Sequence, residues 1–166
     1  MRILGIDPGL QRTGWGMIHF ESNRLQFLAC GTIQTNPALT MAQRLAEIST
    51  GLESVIAAWT PDEAAIEETF MNNNAASALK LGAARGAAMV TPARLGLHVS
   101  EYAANLVKKS VVGTGHATKD QIGMMIRTLL PTAGKMGADA ADALAIAVCH
   151  AHHAASRKRM AALEMA

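Results

Sequence analysis

Four acidic residues stand where they could hold an oxygen-ligated metal ion. Asp7 follows the apolar run 3–6, and Glu67 follows a second apolar run at 64–66. An unpaired carboxylate is costly at the end of a buried strand, so a cation is a natural partner for each. Hard carboxylate oxygens suit Mg²⁺ or Mn²⁺, and the sequence has no Cys or His set with the spacing of a zinc site. The pattern therefore favours one of these two ions.

The other two acids, Asp139 and Asp142, are three residues apart at the start of a predicted helix. At that spacing both can lie on one helix face and reach a shared ion. Taken alone, they are better explained as an N-cap and a first-turn acid favoured by the helix dipole. Together with the two strand-end acids, they make four carboxylates, enough for two ions. Two such ions about 4 Å apart can activate a water and stabilise the leaving oxygen of a phosphodiester.

Two points stay open at this stage. Asp7 could instead be a turn residue that caps Pro8-Gly9. Glu67 and Glu68 are adjacent, and neighbouring side chains of a strand point to opposite faces, so only one can belong to the site. Ala65 and Glu67 share one face, which makes Glu67 the choice, although either face could carry the site.

Charge is segregated along the chain despite a net charge of only +2. Residues 47–68 carry six carboxylates and no Lys or Arg, whereas residues 80–135 carry eight Lys or Arg and two carboxylates. Such asymmetry is compatible with a polyanionic partner bound by the basic half. Solvated helix faces would explain the clustering equally well.

The order of predicted elements indicates an α/β fold in one domain. Strands are expected at 2–7, 13–20 and 24–35, with a turn at Ser22-Asn23, and further strands at 62–67 and 95–100. Helices are expected at 40–58, 75–91, 101–110, 119–130 and from about 139 onward. Three antiparallel strands followed by parallel strands predict a mixed sheet flanked by helices, the order of ribonuclease H-like domains. We assign residues 1–156 to this domain and 157–166 to a short basic tail.

The compartment follows from what the sequence lacks. Cys30 and Cys149 are far apart, with no C-x-x-C, which argues against a disulfide scaffold. We see no signal peptide and no apolar run of about 18 residues, so no membrane association is expected. These features predict a cytoplasmic protein.

Four strings give the chain a family resemblance. Over residues 2 to about 150 it resembles the RuvC family of Holliday junction resolvases, in the strings ILGIDPG (3–9), AIE (65–67), SALKLGxARG (77–86) and ADAADALAIA (138–147). The resemblance implies a ribonuclease H-like homodimer that cuts four-way DNA junctions by paired symmetric nicks in homologous recombination and DNA repair. It also implies the RuvA–RuvB branch-migration complex as a partner.

Residue roles follow from the same resemblance. It implies that Asp7, Glu67, Asp139 and Asp142 form a catalytic site that binds Mg²⁺, and it favours Glu67 over Glu68. The donor set itself would allow two ions, with Mn²⁺ as a substitute. The resemblance further implies that Lys108 and Lys119 contact the DNA backbone and that Phe70 packs on unpaired bases, a stacking worth about 1–3 kcal/mol per base. Helix spacing, and not the resemblance, makes Gly82 and Gly86 a candidate dimer surface, because these small residues are four apart on one helix face.

Three other functions compete with this one. Actin-like kinases and chaperones share a Gly-Ile-Asp-x-Gly opening, but they need a second similar domain for which 166 residues leave no room. A YqgF-like ribonuclease H-fold nuclease acting on RNA is closer, although the string at 77–86 favours the junction resolvases. A non-catalytic DNA-binding module would leave Asp7 and Glu67 unexplained.

Overall fold

The sheet has five strands. The computed structural model describes residues 1–68 and 74–164. The strands are β1 (Arg2–Asp7), β2 (Arg12–Glu21), β3 (Arg24–Gln34), β4 (Glu63–Glu68) and β5 (His98–Ala103), in the spatial order β3-β2-β1-β4-β5. β1, β2 and β3 pair antiparallel, whereas β4 is parallel to both β1 and β5. The mixed sheet predicted from the sequence is confirmed.

The β2–β3 hairpin turns at the predicted residues. Ser22 and Asn23 both have positive φ, 49° and 62°. A two-residue hairpin loop with both φ angles positive matches the right-handed twist of the flanking strands. This local chemistry sets the register of the hairpin that begins the sheet.

Five α-helices accompany the sheet within the described residues. They are α1 (Met41–Trp59), α2 (Ala75–Arg94), α3 (Ala104–Val112), α4 (Lys119–Leu129) and α5 (Ala138–Glu164), with a short 3₁₀ helix at Pro131–Ala133. Thr40 and Thr118 begin α1 and α4 with complete capping boxes. Across the described parts of the chain, none of these helices is both long and apolar enough to cross a membrane.

The boundary between β5 and α3 differs from the prediction. We expected a strand at 95–100 and a helix from 101, but β5 begins at His98 and continues to Ala103. The reason is a long-range one, since Glu101–Ala103 pair with the end of β4. Strand pairing overrides the helical pattern of these residues.

The sheet separates two apolar layers. Leu4 and Ile6 of β1 pack with α1 and α2, whereas Ile3 packs on the side of α5, which is the alternation expected of a strand. α5 approaches the sheet very closely. A Cβ on Gly5 would lie 2.0 Å from the carbonyl oxygen of Ala143, and one on Gly14 would lie 2.1 Å from that of Asp139. The glycines let α5 lie flat across the sheet and place its first turn at the ends of the strands.

α5 is also anchored farther along its length by His150. This side chain is fully buried, with Nδ1 2.9 Å from Tyr102 Oη on β5 and Nε2 2.6 Å from Glu63 Oε2 on β4. Buried polar groups are costly unless they are paired, so these contacts fix α5 against two strands. The sequence alone does not indicate these two partners.

Candidate active site

Asp7 and Glu67 meet at one edge of the sheet. β1 and β4 are parallel neighbours, and their pairing reaches Ile6 and Ile66. The next residue of each strand is the predicted acid, so both carboxylates emerge where their strands end. The carboxyl ends of parallel strands are where α/β folds commonly place their sites.

The first turns of α5 bring Asp142 to the same place. Asp7, Glu67 and Asp142 line one open cavity of about 210 Å³. Lys108 and Lys119 line it as well, and its other walls come from Ala104, Val107, Ile122, Ala145 and Ile146. The cavity therefore combines three carboxylates with two cations over an apolar floor.

Asp139 lies beside this cavity rather than in its lining. Its Oδ2 is 3.6 Å from Nε of Arg12, a partner on β2 that the sequence does not suggest. The charge of Asp139 still raises the pKa of Asp7. The charge of Asp139 therefore acts on Asp7, while its own carboxylate is paired with the guanidinium of Arg12.

The acids disturb one another strongly. Burial and then the charges of Asp142, Glu67 and Asp139 raise the pKa of Asp7 to about 7. The pKa of Glu67 is raised by burial and by Asp142, against the lowering effect of Lys108 and Lys119. Crowded, partly buried carboxylates of this kind fit a divalent cation, because its charge would relieve the repulsion and its coordination would use their oxygens.

These side chains do not form a closed cage as they stand. Within residues 1–68 and 74–164, no three His, Cys, Asp or Glu side chains are already arranged to enclose an ion. The arrangement is a set of converging carboxylates with space between them, and ligands for the ion would also come from water and substrate.

Lys119 stands at the rim. Its Nζ lies 3.2 Å from Oδ2 of Asp142, and that carboxylate raises the pKa of Lys119. The capping box at Thr118 makes Lys119 the first residue of α4, so helix geometry directs it to this edge. The ammonium remains largely exposed. It can therefore exchange its bond to Asp142 for one to a phosphate.

The structure describes both candidate acids at the end of β4, but it does not describe the predicted base-stacking residue. Glu68 is exposed and absent from the cavity lining, whereas Glu67 lines it. Phe70, the predicted base-stacking residue, lies outside the described residues.

Arg85, to which no sequence pattern assigns a role, contacts the backbone of Glu67. Its Nε donates to the backbone oxygen of Glu67 at 3.1 Å, and its guanidinium pairs with Glu101. Arg85 belongs to the string 77–86, which indicates a family but not a contact. A signal for Arg12 is lacking altogether, because its partner is more than 120 residues away.

The chain is similar to proteins of a known family. The model of the family "Crossover junction endodeoxyribonuclease RuvC" matches residues 3–150. A crossover junction endodeoxyribonuclease RuvC of Rhodopseudomonas palustris (strain BisA53) is 57% identical over 163 residues, 98% of this chain and 94% of the relative.

Two solved structures show the same fold. Thermus thermophilus RuvC has a TM-score of 0.83 and 31% identity, covering 94% of this chain and 96% of that one. T. thermophilus RuvC in complex with Holliday junction substrate has a TM-score of 0.85 and 31% identity, covering 93% and 94%. The fold is ribonuclease H-like, as predicted. With the family model spanning most of the sequence, the chain belongs to the RuvC family of crossover junction endodeoxyribonucleases.

Proposed function

We propose that this chain resolves four-way DNA junctions by hydrolysis at the acidic cavity, with Asp7, Glu67, Asp139 and Asp142 holding two Mg²⁺ ions. The family uses a divalent metal; the choice of Mg²⁺, with Mn²⁺ as substitute, and the number of ions rest on the donor set. The observation that carries the proposal is one cavity lined by Asp7, Glu67 and Asp142 together with Lys108 and Lys119. Carboxylates there suit cations, and the lysines suit phosphates.

Each group of residues has a defined task in this proposal. Metal ions held by the carboxylates would supply the activation of a water and the stabilisation of the departing oxygen. The four carboxylates fix the ions, which requires Asp7 to give up the proton that its pKa of about 7 lets it retain. Lys108 and Lys119 bind backbone phosphates and so hold the scissile strand over the carboxylates.

The wider assignments are parts of the same proposal. Phe70 stacks on unpaired bases at the junction, and the RuvA–RuvB branch-migration complex presents the junction in the cytoplasm. We divide the chain into a nuclease domain, residues 1–156, and a basic tail, residues 157–166. The family model matches residues 3–150, all within the first of these parts, and α5 runs as one helix across the boundary to Glu164.

Cleavage of a mobile four-way junction, with and without Mg²⁺, tests the function. We expect paired symmetric nicks that require Mg²⁺ and tighter binding to the junction than to a linear duplex at the same salt concentration. Equal affinity for both DNAs would contradict junction recognition. Preferential cleavage of RNA would instead support a YqgF-like nuclease.

We further propose that two copies pair through α2. Leu79 and Val90 are 76% and 50% exposed, and Gly82 and Gly86 between them face open space. At helical spacing these residues form one apolar, small-residue face. An exposed apolar face is typical of a protein–protein contact, and glycines there let two helices approach closely. A dimer would present two sites to the two strands that are nicked.

Gly86→Arg should convert the dimer to a monomer. The new side chain enters open space, so the monomer tolerates it, and replacing a helical glycine favours the helix by several tenths of a kcal/mol or more. Light scattering measures the mass, and Thr128→Arg, at an exposed position on α4, is the matched control. An unchanged dimer mass for Gly86→Arg would exclude this face.

A further inference from the structure

Arg85 joins three elements at the edge of the acidic cavity. It lies on α2, donates from Nε to the backbone oxygen of Glu67 on β4, and pairs through its guanidinium with Glu101 on β5. Its side chain is 20% exposed, so it is largely enclosed by these partners. A planar guanidinium can serve two acceptors at once, and bonds from it to oxygen are charge-assisted.

The contact is to the backbone of Glu67 and not to its carboxylate. The cations that lower the pKa of the Glu67 carboxyl are Lys108 and Lys119, on the cavity side. Arg85 therefore leaves the carboxylate free to bind an ion while it holds the chain that carries it. A residue that orients a metal ligand is expected to bind that ligand away from the atoms that coordinate the metal.

The backbone at Glu67 is where such support has an effect. Pairing between β1 and β4 extends to Ile6 and Ile66, whereas pairing with β5 continues to Glu68. Glu67 is thus at the end of the part of β4 that is held from both sides. Glu101, the second partner of Arg85, is opposite Ile66 in the β4–β5 register. The Arg85–Glu101 pair ties α2 to the strand end at this point.

We propose that Arg85, oriented by Glu101, is a positioning residue that fixes the backbone of Glu67 so that its carboxylate faces the metal-binding cavity. This inference rests on the proposed metal-dependent nuclease function. Displacing a catalytic group by about 1 Å can cost on the order of 100-fold in rate, and losing a residue that orients a metal ligand typically costs about 10- to 100-fold in metal affinity or activity.

The test compares three variants with the wild type, each as the full chain: Arg85→Ala, Arg85→Lys and Glu101→Gln. We expect Arg85→Ala to slow single-turnover junction cleavage at saturating DNA and Mg²⁺ by roughly 10- to 100-fold. Calorimetric titration of the DNA-free protein with Mg²⁺ alone should show affinity weakened by about tenfold. Arg85→Lys should recover only part of both, because an ammonium cannot bridge the two acceptors as the fork does. Glu101→Gln should lie between Arg85→Lys and the wild type.

Junction affinity in the absence of metal separates this role from others. Arg85→Ala should change that affinity by less than about threefold, and Arg94→Ala, exposed on the same helix, should change nothing. An Arg85→Ala variant with wild-type rate and Mg²⁺ affinity would overturn the proposal. So would a loss of junction affinity as large as the loss of rate, since that would make Arg85 a DNA contact.

Folding and function are controlled separately. Circular dichroism and the melting temperature show whether each variant folds. If Arg85→Ala does not fold, Glu101→Gln and Arg85→Lys test the positioning role of Arg85 instead. The proposal would be overturned if both variants had the cleavage rate and the Mg²⁺ affinity of the wild type. A wild-type protein that binds Mg²⁺ but never cuts junctions would refute the proposed function, while the Mg²⁺ titrations would still report on Arg85.

Discussion

Asp7→Asn should abolish junction cleavage while leaving junction binding intact. The substitution keeps the size of the side chain but removes one of the carboxylates that line the cavity at the end of β1. Metal binding depends on those charges, so we expect the single-turnover rate with Mg²⁺ to fall by about 10³-fold or more. Backbone phosphates are bound by lysines in this proposal, so the affinity for a four-way junction should stay within about threefold.

Gel cleavage assays and fluorescence anisotropy measure these two quantities. Asp62→Asn is the matched control, because Asp62 is exposed and lies just before the opposite end of β4. It should cleave at the wild-type rate. If Asp7→Asn also cleaves at that rate, the assignment of the metal site is wrong.

The same substitution should stabilise the metal-free protein at neutral and higher pH. The folded pKa of Asp7, about 7, lies above its ordinary value of 3.8, so the folded state binds more protons than the unfolded state between those values. Stability should therefore fall as pH rises through that window. Each pKa unit is worth about 1.4 kcal/mol, which sets a ceiling of roughly 4 kcal/mol. Because the cavity is open to water, we expect a gain of about 2 kcal/mol for Asp7→Asn.

Urea unfolding in a metal chelator at pH 5 and pH 8 measures this difference. From pH 5 to pH 8, the free energy of unfolding of the wild type should fall relative to that of Asp7→Asn. At pH 8, adding Mg²⁺ should raise the free energy of unfolding of the wild type again. A variant that is no more stable than the wild type at pH 8 would show that Asp7 is not strained by its neighbours. That outcome would remove the electrostatic reason for placing a cation in the cavity.

Sequence reasoning predicted the parts of the fold that local chemistry determines. The hairpin at Ser22-Asn23 and the helix that begins after Thr40 depend on nearby residues, and both are found where expected. The convergence of Asp7 and Glu67 was also predictable, since the ends of neighbouring strands must meet. A short apolar run that ends in an acid is a local pattern, and in two neighbouring parallel strands it brings the two acids together.

The remaining features depend on partners that are distant in sequence. β5 extends to Ala103 because β4 lies beside it, and nothing within residues 98–103 reveals that pairing. His150 contacts Glu63 across 87 residues, and Arg85 reaches Glu67 from another helix. Contacts of this kind are decided by packing, so one sequence without its fold indicates the residue types but not the pairs.

Glu67→Gln should lose cleavage, and its neighbour Glu68→Gln should not. The two residues are adjacent on β4, so their side chains leave the strand on opposite sides. Glu67 lines the acidic cavity, and Glu68 is exposed outside it. We expect Glu67→Gln to reduce the single-turnover rate by about 100-fold or more and to weaken Mg²⁺ binding. Glu68→Gln should remain within about twofold of the wild type.

An NMR titration tests the same two variants without an activity assay. Since the charge of Glu67 raises the pKa of Asp7, Glu67→Gln should lower the Asp7 pKa below about 7, as followed by carboxyl carbon NMR in metal-free protein. Glu68→Gln should leave that titration in place. Loss of cleavage in both variants would indicate damage to the strand end rather than loss of a ligand. Loss in Glu68→Gln alone would place the site on the other face of β4, contrary to the cavity that Asp7 and Asp142 share.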